Sequence, residues 1–149
     1  RYSTMITNFR HVGIVVKDLK KSSLFYQKTL GLKKVVRLFE GDEYFNKLIN
    51  SKNLKAEVLK LKSKDGVIVE IIQYLKSKKK IIKTNKMIDA GTMHMCFTVK
   101  NINSLYKKIK KNKYKTFSMP LKSSYDPVTT FFCYDPDFNI VQFVEGKKI

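Results

Sequence analysis

The sequence predicts an α+β fold of two tandem β-α-β-β-β modules, and three observations predict it. First, His11-Val12-Gly13-Ile14-Val15-Val16, a short β-branched run ahead of a helix-capping Asp18, returns as His94-Met95-Cys96-Phe97-Thr98-Val99 ahead of Asn101. At that one spacing His11 falls on His94, Ile14 on Phe97, Val16 on Val99, Lys17 on Lys100 and Leu19 on Ile102. Second, at another constant spacing Asp65 falls on Asp137, Ile68 on Ile140, Val69 on Val141, Glu70 on Gln142, Ile71 on Phe143 and Ile72 on Val144. Third, the order of elements between the matched segments is the same in both halves, so the repeating object is a supersecondary unit.

Each element has a local reason. After the first strand, Asp18 caps a helix from about Leu19 to Leu30 that buries Leu24, Phe25 and Leu30 and stops at Gly31. Extended segments follow at Lys33–Phe39, Ala56–Leu61 and Val67–Tyr74, the last two joined by a turn at Lys64-Asp65-Gly66. Between the first two of these, Gly41–Leu54 is expected to form part of a pocket rim. The lysine-rich stretch that follows has no period and reads as a linker. In the second half a strand over Thr92–Val99 leads into a helix capped by Asn101 and ending near Asn112. Strands near Thr116–Ser118, Val128–Tyr134 and Asn139–Glu145 complete it. The expected organisation is one domain over 1–149, with module one at about 8–75, a linker at about 76–90 and module two at about 91–149. Met5 is a candidate natural start, with Arg1–Thr4 ahead of it.

Composition narrows the function classes. With 43% hydrophobic and 29% charged residues over 149 positions, the chain can bury a core, which excludes a disordered tail. No apolar run approaches the roughly 18 residues that span a membrane, so a soluble, cytoplasmic protein is expected. Thirty-one basic residues against 12 acidic give a net charge of +19, yet only Arg1, Arg10 and Arg37 are arginine. Base readout and bidentate phosphate clamping favour arginine interleaved with exposed aromatics, a pattern missing here, so nucleic acid is not the expected partner. The densest cluster, Lys107, Lys108, Lys110, Lys111, Lys113 and Lys115, falls on a helix that turns Leu105, Tyr106 and Ile109 inward, as a solvated face does. Cys96 and Cys133 sit in apolar strand-like runs and are expected as buried free thiols.

The chain has two histidines, and the repeat puts them at equivalent positions. Strand alternation sets His11, Gly13 and Val15 on one face and Val12, Ile14 and Val16 on the face a helix covers; His94, Cys96 and Thr98 likewise oppose Met95, Phe97 and Val99. On the last strands Glu70 shares a face with Ile68, Ile72 and Tyr74, and Gln142 with Ile140 and Val144. A glutamate in so apolar a run is costly to bury unless it is paired or holds a cation. Two imidazoles, a carboxylate and an amide oxygen, His11, Glu70, His94 and Gln142, make a four-ligand set for a divalent metal, and Zn, Ni, Co, Mn or Fe would each accept it. The alternative is an edge-strand glutamate and glutamine in water. Glu145, three residues from Gln142, points to the opposite face.

These residues resemble the vicinal oxygen chelate superfamily, which includes glyoxalases, methylmalonyl-CoA epimerases, extradiol dioxygenases and the fosfomycin and bleomycin resistance proteins. The resemblance covers nearly the whole chain. It rests on His11-Val-Gly-Ile-Val-Val-Lys-Asp-Leu with Phe25-Tyr26 and Leu30-Gly31-Leu32, on Val69-Glu70-Ile-Ile-Gln-Tyr74, on His94-Met-Cys-Phe-Thr-Val99 and on Asp135-Pro136-Asp137. It implies a half-open mixed β-barrel with helices outside, a divalent metal on His11, Glu70, His94 and Gln142, and a homodimer. It further implies a lyase or isomerase of the glyoxalase and epimerase branch, which chelates vicinal oxygens of a small molecule and abstracts an α-proton to give an enediolate or enolate. The branch's pattern has a glutamate, often the base, where this chain has Gln142, which leaves Glu70 as the base. Ile68, Ile72, Tyr74, Ile140 and Val144 would line the substrate concavity, and an anionic thioester would suit the surrounding lysines. A metal-free binding protein of the bleomycin-resistance kind is the first alternative and a ring-cleaving dioxygenase the second.

Overall fold

The computed structural model describes residues 5–77 and 86–147. Arg1–Thr4 and the middle of the expected linker lie outside the described residues. The chain divides into two compact units, Arg1–Lys78 and Lys79–Ile149.

In the first unit β1 (His11–Val15) leads into α1 (Leu19–Ser23), which continues as a π-helical stretch over Leu24–Thr29. Then come β2 (Lys33–Glu40), α2 (Glu43–Leu48), β3 (Lys55–Lys62) and β4 (Ile68–Leu75). The sheet order is β1-β4-β3-β2, with β1 parallel to β4 and the other pairs antiparallel. The second unit repeats the plan with β5 (His94–Thr98), α3 (Ile102–Lys111), β6 (Leu121–Lys122), β7 (Thr129–Tyr134) and β8 (Ile140–Glu145). Its order is β5-β8-β7-β6, again with the first strand parallel to the last. Both units are βαβββ modules, as the repeat requires.

The equivalence extends to single hydrogen bonds. Val16 N–H donates to Ile72 C=O at 2.8 Å, and its counterpart Val99 N–H donates to Val144 C=O at 2.8 Å. Each helix starts on the expected cap: Asp18 accepts from Lys21 N–H at 3.0 Å and Asn101 from Ser104 N–H at 3.2 Å. Each sheet buries one side under its helix. In the first unit Leu59, Leu61, Val69 and Ile71 form that side, with Phe25 and Tyr26 fully buried on the helix. In the second Phe131, Cys133, Val141 and Phe143 are buried with Ile102 and Ile109 of α3, and Tyr106 meets the Phe131 ring edge-on at 5.5 Å. The α3 lysines Lys107, Lys108, Lys110 and Lys111 are exposed, in keeping with the expected polar face.

Four local expectations change. Leu24 is half exposed and Tyr26 takes its place in the core, because the π-helical turn shifts side chains by one position relative to an α-helix; its ladder includes Leu30 N–H to Phe25 C=O at 3.0 Å. Within Gly41–Leu54 the chain forms α2, capped by Asp42, which accepts from Phe45 N–H at 2.7 Å. The strand expected near Thr116–Ser118 reduces to a single bridge from Thr116 to Cys133, and β6 lies at Leu121–Lys122. Pro120 between them has no N–H for a ladder. Cys96 is exposed, because it shares the face of His94 that no helix covers.

Phe131 is 1% exposed and touches the rings of Tyr106 and Phe143. Phe131→Ala should therefore cost about 3–5 kcal/mol in urea unfolding, whereas Leu121→Ala, more than half exposed, should cost roughly 0.5 kcal/mol or less.

Candidate metal centre

In the first unit the parallel register sets Gly13 beside Glu70 and His11 beside Ile68, so His11 and Glu70 are diagonal neighbours on the side away from α1. Glu70 is 9% exposed, and its Oε2 stands 3.4 Å from His11 Nε2. Two donors bound to one ion at about 2.0–2.2 Å are roughly 3.0–3.5 Å apart, so this pair has the spacing of two ligands on a shared metal. Directly across the ladder from Glu70 is Lys60, whose Nζ lies 2.7 Å from Glu70 Oε1. The sequence reading missed Lys60; the signal available was its position on the strand that pairs with Glu70's, with the parity of the ligand face.

In the second unit the equivalent register sets Cys96 beside Gln142 and His94 beside Ile140. His94 is exposed and forms a T-shaped pair with the Phe132 ring, their centroids 5.3 Å apart. Gln142 Nε2 donates to Thr130 Oγ1 at 3.0 Å, and the Thr130 hydroxyl donates to Phe143 C=O at 2.9 Å. The single hydroxyl proton is thereby used, which fixes the amide with its nitrogen on Thr130 and its oxygen turned away. Glu145 on the opposite face accepts from Asn101 N–H, and its counterpart Gln73 accepts from Leu19 N–H at 2.6 Å. Both hold the start of a helix, which removes Glu145 from the ligand candidates.

Each module thus contributes one pair of the candidate ligands, and among the described residues no group of three or more His, Cys, Asp and Glu side chains stands together. Of the expected pocket residues, Ile68, Ile72, Tyr74 and Val144 are half-buried and Ile140 is buried. Phe45 of α2 lies 6.4 Å from the Tyr74 ring, which brings this helix to the ligand side of the sheet. A cleft of about 400 Å³ lies on the other side, lined by Leu19, Lys34, Arg37, Glu57 and Gln73 among others, and contains none of the candidate ligands.

Asp135, 4% exposed, accepts from Asp137 N–H, Asn139 N–H and the Asn139 side chain, and so builds the turn that delivers β8 and Gln142. Burial pushes the neighbouring Cys133 thiol up to about 12, with the Asp135 charge adding to it. Desolvation also raises Cys96 above the ordinary thiol value, but Cys96 is open to reagent. In the native protein at pH 8, a thiol-specific reagent should label one cysteine, Cys96, and reach Cys133 only after unfolding. Two equally fast thiols would contradict this placement.

The model of the Glyoxalase/Bleomycin resistance protein/Dioxygenase superfamily matches residues 8–143. Human mitochondrial methylmalonyl-CoA epimerase is 31% identical over 114 residues, 75% of this chain, and the match spans 57% of that protein. Among solved structures, a glyoxalase family protein from Bacillus cereus superposes with a TM-score of 0.87 at 16% identity, covering 97% of both chains. A glyoxylase/bleomycin resistance protein/dioxygenase domain from Frankia superposes with a TM-score of 0.71 at 16% identity, covering 96% of this chain and 94% of that one. Fold, repeat and family model agree: the chain belongs to the glyoxalase/bleomycin resistance/dioxygenase superfamily.

Proposed function

We propose that the protein is a metal-dependent lyase or isomerase of the glyoxalase type, with His11, Glu70, His94 and Gln142 as the ligands of a divalent ion. The observation that carries this reading is the diagonal pair of His11 and Glu70, a buried carboxylate and an imidazole at ligand spacing on the side of the sheet away from α1. A bound divalent ion would supply Lewis acidity to the vicinal oxygens of a substrate. The chain's own groups do the rest. His11, His94 and the oriented amide of Gln142 hold position, and Glu70 takes the α-proton and returns it, since an amide at the fourth position cannot. Ile68, Ile72, Tyr74, Ile140 and Val144 would receive the apolar part of the substrate.

A relative named as a methylmalonyl-CoA epimerase supports an anionic acyl thioester as the substrate class. A net charge of +19 favours the approach of such an anion. Family membership also supports a homodimer, and no helix among the described residues is long and apolar enough to cross a membrane. The second reading, a metal-free binding module, is favoured by Lys60, which by itself gives Glu70 a counter-charge.

The two readings part on one variant. Glu70→Gln should retain metal while losing about a hundredfold or more of the exchange of α-protons with deuterated water in acyl thioesters and hemithioacetals. Exchange undiminished in this variant, or absent from the metal-loaded wild type across both substrate classes, would contradict the α-proton mechanism.

A further inference from the structure

Glu70 is shared. Its Oε2 faces His11 Nε2 at 3.4 Å and its Oε1 faces Lys60 Nζ at 2.7 Å, so one carboxylate has an imidazole on one oxygen and an ammonium on the other. The cation is not a demand of the fold. In the second module the position directly across from Gln142 is Phe132, so a lysine stands opposite the carboxylate and an aromatic ring opposite the amide. The Glu70 side chain is 12% exposed and that of Lys60 is 34% exposed, which places the carboxylate in a less screened setting than its partner's stem.

A carboxylate so placed needs a positive neighbour when no metal is bound. Were Glu70 to hold a divalent ion as well, two cations would stand on one carboxylate, and their repulsion would count against the ion. Resting on the metal-centre reading above, we propose that Lys60 is the resident counter-ion of Glu70 with which the metal competes: it stabilises the metal-free protein and weakens metal binding. The two effects have opposite signs. A merely structural ion pair would give the first without the second, and a lysine that only oriented Glu70 as a ligand would give weaker metal binding on its removal.

Lys60→Met keeps an unbranched apolar stem of similar length and removes the charge, while Lys60→Arg keeps the charge. The full-length wild type and both variants would be titrated calorimetrically with cobalt(II) alone at low ionic strength, and the metal-free proteins unfolded in urea. Lys60→Met should bind cobalt about tenfold or more tightly than the wild type and unfold at lower urea when metal-free. Lys60→Arg should stay within about threefold of the wild-type affinity. Raising the salt should narrow the gap, because a one-third exposed ammonium is screened. Equal or weaker cobalt binding by Lys60→Met, beside a wild type that binds, overturns the role of Lys60 and leaves the metal centre standing. No binding by any of the three overturns both. Should Lys60→Met fail to fold, Lys60→Gln, which retains a donor without the charge, gives the same comparison.

Discussion

Parallel pairing of the first strand of each module with its last is the constraint on which the site depends. That pairing sets Gly13 beside Glu70 and Cys96 beside Gln142 and places each histidine one step along on the same face. Side chains alternate with period two, so a slip of one residue in either pairing would turn the polar groups into the apolar layer under α1 or α3. The register is locked on the buried side, where Val69 and Ile71, and Val141 and Phe143, have almost no exposure. Hydrophobic packing on one face therefore specifies where the polar side chains stand on the other.

The modules are alike in backbone and unlike in charge. Module one carries His11, Glu70 and Lys60 on the face away from α1; module two carries His94, Gln142, Thr130 and Phe132 on the face away from α3. An exposed ion pair contributes about 0–1 kcal/mol, whereas stranding a buried charge costs roughly 3–5 kcal/mol. With Glu70 nearly buried and Lys60 partly exposed, the interaction falls between these limits, and what decides its role is the carboxylate's need for a neighbour. Gln142 has no such need, and a threonine hydroxyl is enough to orient it.

Much of this was legible in the sequence because it is governed by periodicity. The two spacings that relate the modules, the caps Asp18 and Asn101 and the parity of His11, Glu70, His94 and Gln142 all follow from alternation and helix-start chemistry. What was not legible depends on geometry without a sequence period. The π-helical turn that exchanges Leu24 for Tyr26 in the core is such a case, as is α2, whose Asp42-Glu43 start is a cap signal inside a stretch with no clear apolar period. Lys60 was hidden for a different reason: one lysine among so many acquires meaning only once the β3–β4 register places it opposite Glu70. The exposure of Cys96 followed from the same parity that exposed His94, but its apolar surroundings masked it.

We propose one divalent metal held by His11, Glu70, His94 and Gln142. Its most direct test is elemental mass spectrometry of the purified protein and of His94→Ala, each dialysed against trace divalent metals. About one metal per chain, lost in the variant, is the result this account predicts. No metal in either protein, or the same metal in both, would contradict it.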